Sequence, residues 1–245
     1  MSPDVLRNQQ VDPSTKVVII GGGVMGAATA SFLGARFGIR ATVLERDASY
    51  ARASSALSVC AIRQQFSTEI NIRISQQSLA FYRDIGRQLA VGDDHPSIGL
   101  VEPGYLYLAT DAGAHVLAEN QALQAQCNAS VALLSPAELL VRFPWLSVDQ
   151  IALGSLGLST ATSGEGWFDG YSALQAFRHH AIAQGARFLE AEAVDFDVRA
   201  SGVQSVITAQ GERVAADAVL IAAGAWSSPI AAKLGFDLPV RASKR

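Results

Sequence analysis

Along the chain the apolar positions change period several times, and each change predicts an element. Residues 16–20 (KVVII) form a continuous β-branched run, as expected of a parallel strand buried on both faces. Residues 24–37 are apolar nearly all round, with Met25, Ala27, Ala28, Ala30, Phe32, Leu33 and Ala35. That pattern predicts a buried helix, and Gly38 is placed to end it. Residues 41–45 (ATVLE) read as a second strand, so the stretch from Lys16 to Glu45 has the length of a β-α-β crossover.

Beyond Glu45 the pattern is mixed. Residues 47–66 form a long connection rich in Ala and Ser, long enough for a functional loop. Ser67 can cap a helix in which Ile70, Ile74, Phe81, Ile85 and Leu89 recur at helical spacing, and residues 92–96 break the pattern. A turn and a strand are expected over 101–110, and a helix over 112–127. Ser135, Pro136 and Glu138 stand in the order of a capped helix start, with a first-turn proline and a reciprocal carboxylate. Residues 171–184 read as a helix ended by Gly185. Residues 187–190 and 193–198 look like paired strands, with further strands at 203–208 and after the Gln210–Gly211 turn. Residues 218–222 (AVLIA) form a second fully apolar strand that lands on Gly224.

Composition narrows the class. Hydrophobic residues make up 49% and charged residues 17%, which excludes a disordered tail protein. A net charge of −3 without clustered cations leaves no nucleic-acid footprint. Cys60 and Cys127 are isolated thiols of the kind expected in a reducing compartment, and the adjacent His179 and His180 do not share a helix face, so no metal site is expected. Residues 17–35 are uncharged and of membrane-spanning length, but Gly21, Gly22 and Gly23 stand in a row inside them. A strand, a tight turn and a helix explain the run better. The first 16 residues are polar and lack the basic start of a signal peptide, so a soluble, cytoplasmic chain is expected.

The chemistry sits at the first turn. Gly21-x-Gly23-x-x-Gly26 lies between the first strand and the first helix. In such a turn the first glycine permits the tight bend, the second lets backbone approach a pyrophosphate, and the third brings helix close to strand. The helix start adds free N–H groups and a positive dipole end. Glu45 closes the second strand 19 residues after Gly26, where a carboxylate can accept hydrogen bonds from a ribose and repels a 2′-phosphate. A solvated strand-end carboxylate is the alternative for Glu45. The fingerprint serves FAD and NAD alike.

The chain resembles the D-amino-acid oxidase/sarcosine oxidase superfamily of flavin-dependent amine and amino-acid oxidoreductases. The resemblance is carried by residues 17–26 (VVIIGGGVMG), 43–46 (VLER), 53–58 (ASSALS), 62–67 (IRQQFS), 166–169 (GWFD), 193–194 (AV) and 222–227 (AAGAWS). It implies an α/β fold: a Rossmann-like FAD-binding domain of this family's type with a partial, interleaved mixed-sheet substrate domain. The implied division is 14–92 and 166–235 for the FAD domain, 93–165 for a substrate-domain insert, and 236–245 for the start of the next substrate segment. The turn from Gly21 to Gly26, with Gly22, Val24 and Met25, would hold the FAD pyrophosphate. Glu45 would meet the adenosine ribose and Arg46 the adenine edge, and Ser54 and Ser55 would line the pyrophosphate and ribityl chain. Val194 would meet adenine through its backbone. Gly224 would let the second apolar strand approach the cofactor, with Trp226 beside it.

Arg63 is the catalytic candidate. Under the resemblance it lies where the chain passes beneath the flavin ring, and a guanidinium there could fork onto a substrate carboxylate or stabilise charge on reduced flavin. A surface arginine without a role is the alternative. The expected activity is oxidation of a C–N bond in a secondary amine or amino acid. The resemblance covers the family's N-terminal part, so a second chain completing the site and loss of activity in the short chain are both expectations. A non-catalytic flavoprotein or assembly factor, and an NAD-dependent dehydrogenase, are the competing readings.

Overall fold

The computed structural model describes residues 11–243. In chain order the elements are β1 (Val17–Ile20), α1 (Val24–Phe37), β2 (Thr42–Glu45), α2 (Ser54–Leu57), β3 (Ala61–Ile62), α3 (Glu69–Arg83) and α4 (Ile85–Gln88). Then come β4 (Leu106–Ala109), α5 (Asp111–Gln126), β5 (Val131–Leu134), α6 (Pro136–Arg142), β6 (Leu153–Gly157) and β7 (Gly166–Trp167). The chain continues with α7 (Gly170–Ala183), β8 (Arg187–Glu190), β9 (Ala193–Arg199), β10 (Gly202–Thr208), β11 (Arg213–Ala215), β12 (Ala218–Ile221) and α8 (Ser227–Ala232). These elements form two compact units. The first holds residues up to Ser58, Leu89–His95 and Gly170 onward, and the second Val59–Gln88 and Pro96–Asp169.

The first unit is built on a parallel sheet of order β12-β1-β2-β8. Its strands are apolar on both faces because both are covered. Ile19 and Val43 pack with Ala30 of α1 and Ala181 of α7, whereas Val18, Ile20 and Leu44 pack with Val206 of β10 and Ala216. The antiparallel sheet β11-β10-β9 thus covers one face and the helix pair the other. Each such fully buried aliphatic side chain contributes about 1.5–3 kcal/mol. Helix α1 ends at Gly38, whose φ of 69° lets its own N–H reach the Gly34 carbonyl and the Ile39 N–H reach that of Leu33. Between α1 and α7, the buried Ser31 Oγ and His180 Nδ1 lie 2.8 Å apart.

The second unit has an antiparallel sheet of order β4-β6-β5 and a two-stranded pair, β3 with β7. Ile72 of α3 packs with Cys127, Ala129 and Val131. Helix α6 begins with the expected capping box between Ser135 and Glu138.

Four local expectations need correction. Residues 187–190 and 193–198 do not pair with each other: β8 joins β2 in the parallel sheet, and β9 pairs antiparallel with β10. Only Ala191 and Glu192 separate the two strands, but the chain changes sheets there. The helix expected through Leu89 breaks at Asp84 into α3 and α4, and its N-cap is Thr68 rather than Ser67. Its buried face is Ile72, Ser75 and Leu79, while Ile70 and Ile74 stand 65% and 57% exposed, because the face is chosen by α5 and β5 and not by the sequence stripe. Finally, residues 59–88 and 166–169, expected with 14–92 and 166–235, lie in the same compact unit as most of 93–165. The packing of α3 and the β3–β7 pairing account for that. Of the segment 236–245, the last two residues lie outside the described ones.

Candidate functional site

Strands β1, β2, β8 and β12 all run the same way, and their carboxyl ends open on one cavity of about 480 Å³. In open parallel sheets this is the end at which ligands bind. Ile20 and the turn after β1, Leu44 and Glu45 of β2, Ala191 after β8, and Ala222 after β12 line it. The start of α1 faces the same space. Its N-cap is Gly23, without a side-chain capping bond and without an acidic residue in the first turn. The first N–H groups of a helix have no intrahelical acceptor, so this end is suited to an anion.

The glycines of the turn differ in what excludes a side chain. A Cβ on Gly21, whose φ is 102°, would lie 2.5 Å from the Ala222 carbonyl oxygen. On Gly26 it would lie 1.9 Å from the Gly21 oxygen, so this glycine allows α1 to start tight against β1. On Gly22 it would meet Glu45 Cβ at 3.1 Å and Tyr50 Oη at 3.2 Å. Gly23 stands apart. Its Cβ would meet only Ser55 Oγ, at 3.8 Å, and would project into the cavity that Gly23 lines. The chain itself leaves that volume free, which fits a pyrophosphate passing over the turn.

Glu45 is anchored at both oxygens. Gly22 N donates to Oε2 at 2.8 Å and Asp47 N to Oε1 at 3.0 Å. A carboxylate has about four acceptor sites, so two remain for ribose hydroxyls. Arg46 has its guanidinium carbon 4.2 Å from the centre of the Trp226 ring and its Nη1 3.8 Å from Glu192 Oε1. Trp226 therefore touches Arg46, and both line the cavity. Val194 stands at a slip in register: Asp195 faces Ile207 and Ala193 faces Thr208, leaving Val194 as the extra residue of a bulge on the cavity wall. Val24, Met25, Ser54, Ser55 and Gly224 also line the cavity. Gly22 and Gly26 belong to the same turn but do not line the cavity. Of the expected cofactor residues, all but Gly22 and Gly26 line this one cavity.

Arg63 belongs to the second unit. Its Cζ lies 5.6 Å and 5.8 Å from the ring centres of Phe66 and Tyr105, and among the described residues it forms no ion pair. Its backbone is held on both sides. Ser75 Oγ donates to the Arg63 carbonyl at 2.6 Å, and the next two amides, of Gln64 and Gln65, donate to Glu165 Oε1. Glu165 is 1% exposed and also accepts from Gln65 Nε2 at 2.8 Å. Burial pushes its carboxyl above the ordinary range, and the amides of Gln64 and Gln65, with Arg63, pull it back.

Sequence reasoning missed Glu165, Tyr50, Arg52 and Lys233. Glu165 directly precedes the quoted 166–169 segment, but nothing in its neighbours marks it as buried. Tyr50, Arg52 and Lys233 line the cavity from the loop after β2 and the end of α8, elements whose closure on the turn no local pattern reveals.

Fold and cavity together define an α/β chain with a cavity at the carboxyl ends of a parallel sheet, the place where such folds take dinucleotides. Known proteins make the class specific. The family described as FAD dependent oxidoreductase (DAO) matches residues 16–245. The FAD-dependent oxidoreductase domain-containing protein 1 of Xenopus laevis is 38% identical over 243 residues, covering 90% of this chain and 48% of its own length. The glycine oxidase of Geobacillus kaustophilus (strain HTA426) is 31% identical over 229 residues, covering 91% of this chain and 58% of its own. The crystal structure of L-proline dehydrogenase from P. horikoshii superposes with a TM-score of 0.77 at 26% identity, over 91% of this chain and 56% of that one. This chain belongs to the DAO family of FAD-dependent oxidoreductases, and its cofactor is FAD. It spans about half the length of the curated FAD-dependent oxidoreductase domain-containing relatives it matches. Among the described residues no helix is long and apolar enough to cross a membrane.

Proposed function

We propose that the chain supplies the FAD site and the substrate-carboxylate anchor of an oxidoreductase that oxidises the C–N bond of a secondary amine or amino acid. FAD, when bound, supplies the two-electron acceptor for that chemistry, while the protein supplies binding, orientation and electrostatics. The Gly21–Gly26 turn and the first N–H groups of α1 hold the pyrophosphate, and the hydroxyls of Ser54 and Ser55 donate from the facing loop. Glu45 accepts from the adenosine ribose. Arg46, fixed by Trp226 and Glu192, borders the adenine together with the Val194 backbone at its bulge.

Arg63 takes the substrate carboxylate. Its guanidinium lies against aromatic rings and forms no ion pair among the described residues, so a forked pair of charge-assisted hydrogen bonds to a substrate carboxylate can form. Glycine oxidase and L-proline dehydrogenase are named for carboxylated amines, which supports the same substrate class here. The observation that carries the reading is the free volume over Gly23, bounded by Glu45 on the cavity wall. The test is spectroscopic. The purified chain should bind FAD, and sarcosine or proline should perturb the visible flavin spectrum in a way that Arg63→Gln abolishes without changing FAD affinity. Binding of NAD in place of FAD, or a perturbation undiminished in Arg63→Gln, would refute it.

A further inference from the structure

The amino end of the parallel sheet carries a second cavity, of about 460 Å³, and cations dominate its lining. Lys16 stands just before β1, Arg40 just before β2, and Arg187 opens β8. Register sets these strand starts side by side, since Val18 faces Thr42 and Thr42 faces Arg187. The lining lies wholly within the first compact unit. Its apolar part comes from Leu189 and Val214, which pack against the core between the two sheets. The volume is in the range of small-ligand sites.

The charges there do not balance. Lys16, Arg40, Arg187 and Arg213 line the cavity against one carboxylate, Glu212, in a chain whose net charge is −3. Arg213 is paired with Asp197 at 2.7 Å, but Lys16, Arg40 and Arg187 form no ion pair among the described residues. The nearby Asp217 is engaged by backbone: its Oδ2 accepts from Lys16 N at 2.8 Å. Arg40 and Arg187 follow the ends of α1 and α7, where a cation can also serve the negative pole of a helix. Three unpaired cations from three neighbouring strand starts suit something else, an anion with several charged oxygens. A guanidinium forks onto phosphate or carboxylate alike. A phosphate offers oxygens in more than one plane, as donors arriving from separate strands require, and a planar carboxylate does not.

We propose that this cavity is a second ligand site, taking a small organic phosphate whose phosphate group lies among Lys16, Arg40 and Arg187 and whose organic part lies along Leu189 and Val214. Phenyl phosphate is the probe, and the chain is saturated with FAD so that the cavity at the carboxyl ends is filled. In calorimetric titrations at low ionic strength, phenyl phosphate should bind once per chain without releasing FAD. Inorganic phosphate should bind more weakly, and phenol should not bind. Arg40→Gln and Arg187→Gln should each weaken phenyl phosphate about ten-fold, the scale of one hydrogen bond to a charged group. Glu212→Gln should tighten it. Arg36→Gln, which removes the same charge from a residue outside the cavity, should leave it unchanged. The melting temperatures of the ligand-free Arg40→Gln and Arg187→Gln chains should match the parent's.

No binding of phenyl phosphate overturns the proposal, and so does binding that displaces FAD or that falls equally in Arg36→Gln. Lower melting temperatures with unchanged affinity in Arg40→Gln and Arg187→Gln assign those arginines to the helix ends and overturn it as well. Preference for hexaglutamate over phenyl phosphate would give the cavity to an acidic peptide instead.

Discussion

Gly23→Ala separates folding from binding in a way no other glycine of the turn allows. The backbone at Gly23 has φ −59° and ψ −178°, open to any residue, and the nearest atom to an added Cβ is Ser55 Oγ at 3.8 Å, an ordinary contact. Replacing Gly by Ala at an unstrained site gains about 0.4–1 kcal/mol by restricting the unfolded chain. Alanine is a poorer N-cap than glycine, which offsets that gain by a similar amount. The melting temperature of the ligand-free chain should therefore hardly change. The methyl group nevertheless enters the volume assigned to the pyrophosphate, and overpacking of that kind costs about 1–3 kcal/mol. The FAD dissociation constant should rise about five- to a hundred-and-fifty-fold. Quenching of flavin fluorescence on titration measures it, and thermal melting without ligand is the control. Gly26→Ala is the contrast: its Cβ would lie 1.9 Å from a backbone oxygen, so it should damage the fold itself. Affinity within two-fold of the parent in a normally folded Gly23→Ala would show that the phosphates do not pass over this turn.

Two further predictions concern stability. Burial first, and then His179, holds the His180 imidazole below its ordinary 6.5, so the unfolded chain binds that proton more tightly. The contribution is whole above about pH 6.5 and is lost as pH falls through the folded value. His180→Asn, which still offers Ser31 a partner but cannot titrate, should lose less melting temperature on acidification than the parent; parallel curves would refute this. Glu165→Gln faces the Gln65 amide with a donor in place of an acceptor and should cost about 1–3 kcal/mol in urea unfolding. Because burial raises the Glu165 carboxyl above 4.5, the parent's stability also declines as pH rises from there through the raised value. The variant should lack that decline.

The parts legible in the sequence were those whose causes are local. The β1-α1-β2 unit announces itself through a β-branched run, three spaced glycines and a cap at Gly38, each acting over a few residues. The capping box of α6 is legible for the same reason. Strand pairing was not, since residues 187–190 and 193–199 have similar patterns and only their partners, β2 and β10, decide which sheet each joins. The buried face of α3 was misjudged because Ile70 and Ile74 are as apolar as Ile72, and contact with Cys127 and Val131 selects the latter. Tyr50 lacked a signal because its place on the cavity goes with a positive φ, which is not written in neighbouring residues.

The surroundings of Glu165 show how a buried carboxylate can be satisfied without an ion pair to the arginine near it. A charge as buried as Glu165 would ordinarily be retained through an ion pair. Here its oxygens are satisfied by three N–H donors, the amides of Gln64 and Gln65 and the Gln65 side chain. Two of those donors follow Arg63 directly in sequence, so the interaction that stabilises Glu165 also fixes the direction in which Arg63 leaves the backbone. Gly157 is part of the same arrangement, since a Cβ there would lie 1.9 Å from Glu165 Oε2. Arg63 lies with its guanidinium carbon 5.6 Å and 5.8 Å from the ring centres of Phe66 and Tyr105 and forms no ion pair among the described residues. Under the role proposed for Arg63, holding a small carboxylate, such preorganisation would lower the ordering cost of each binding event. The cost is instead met in folding, by the burial of Glu165.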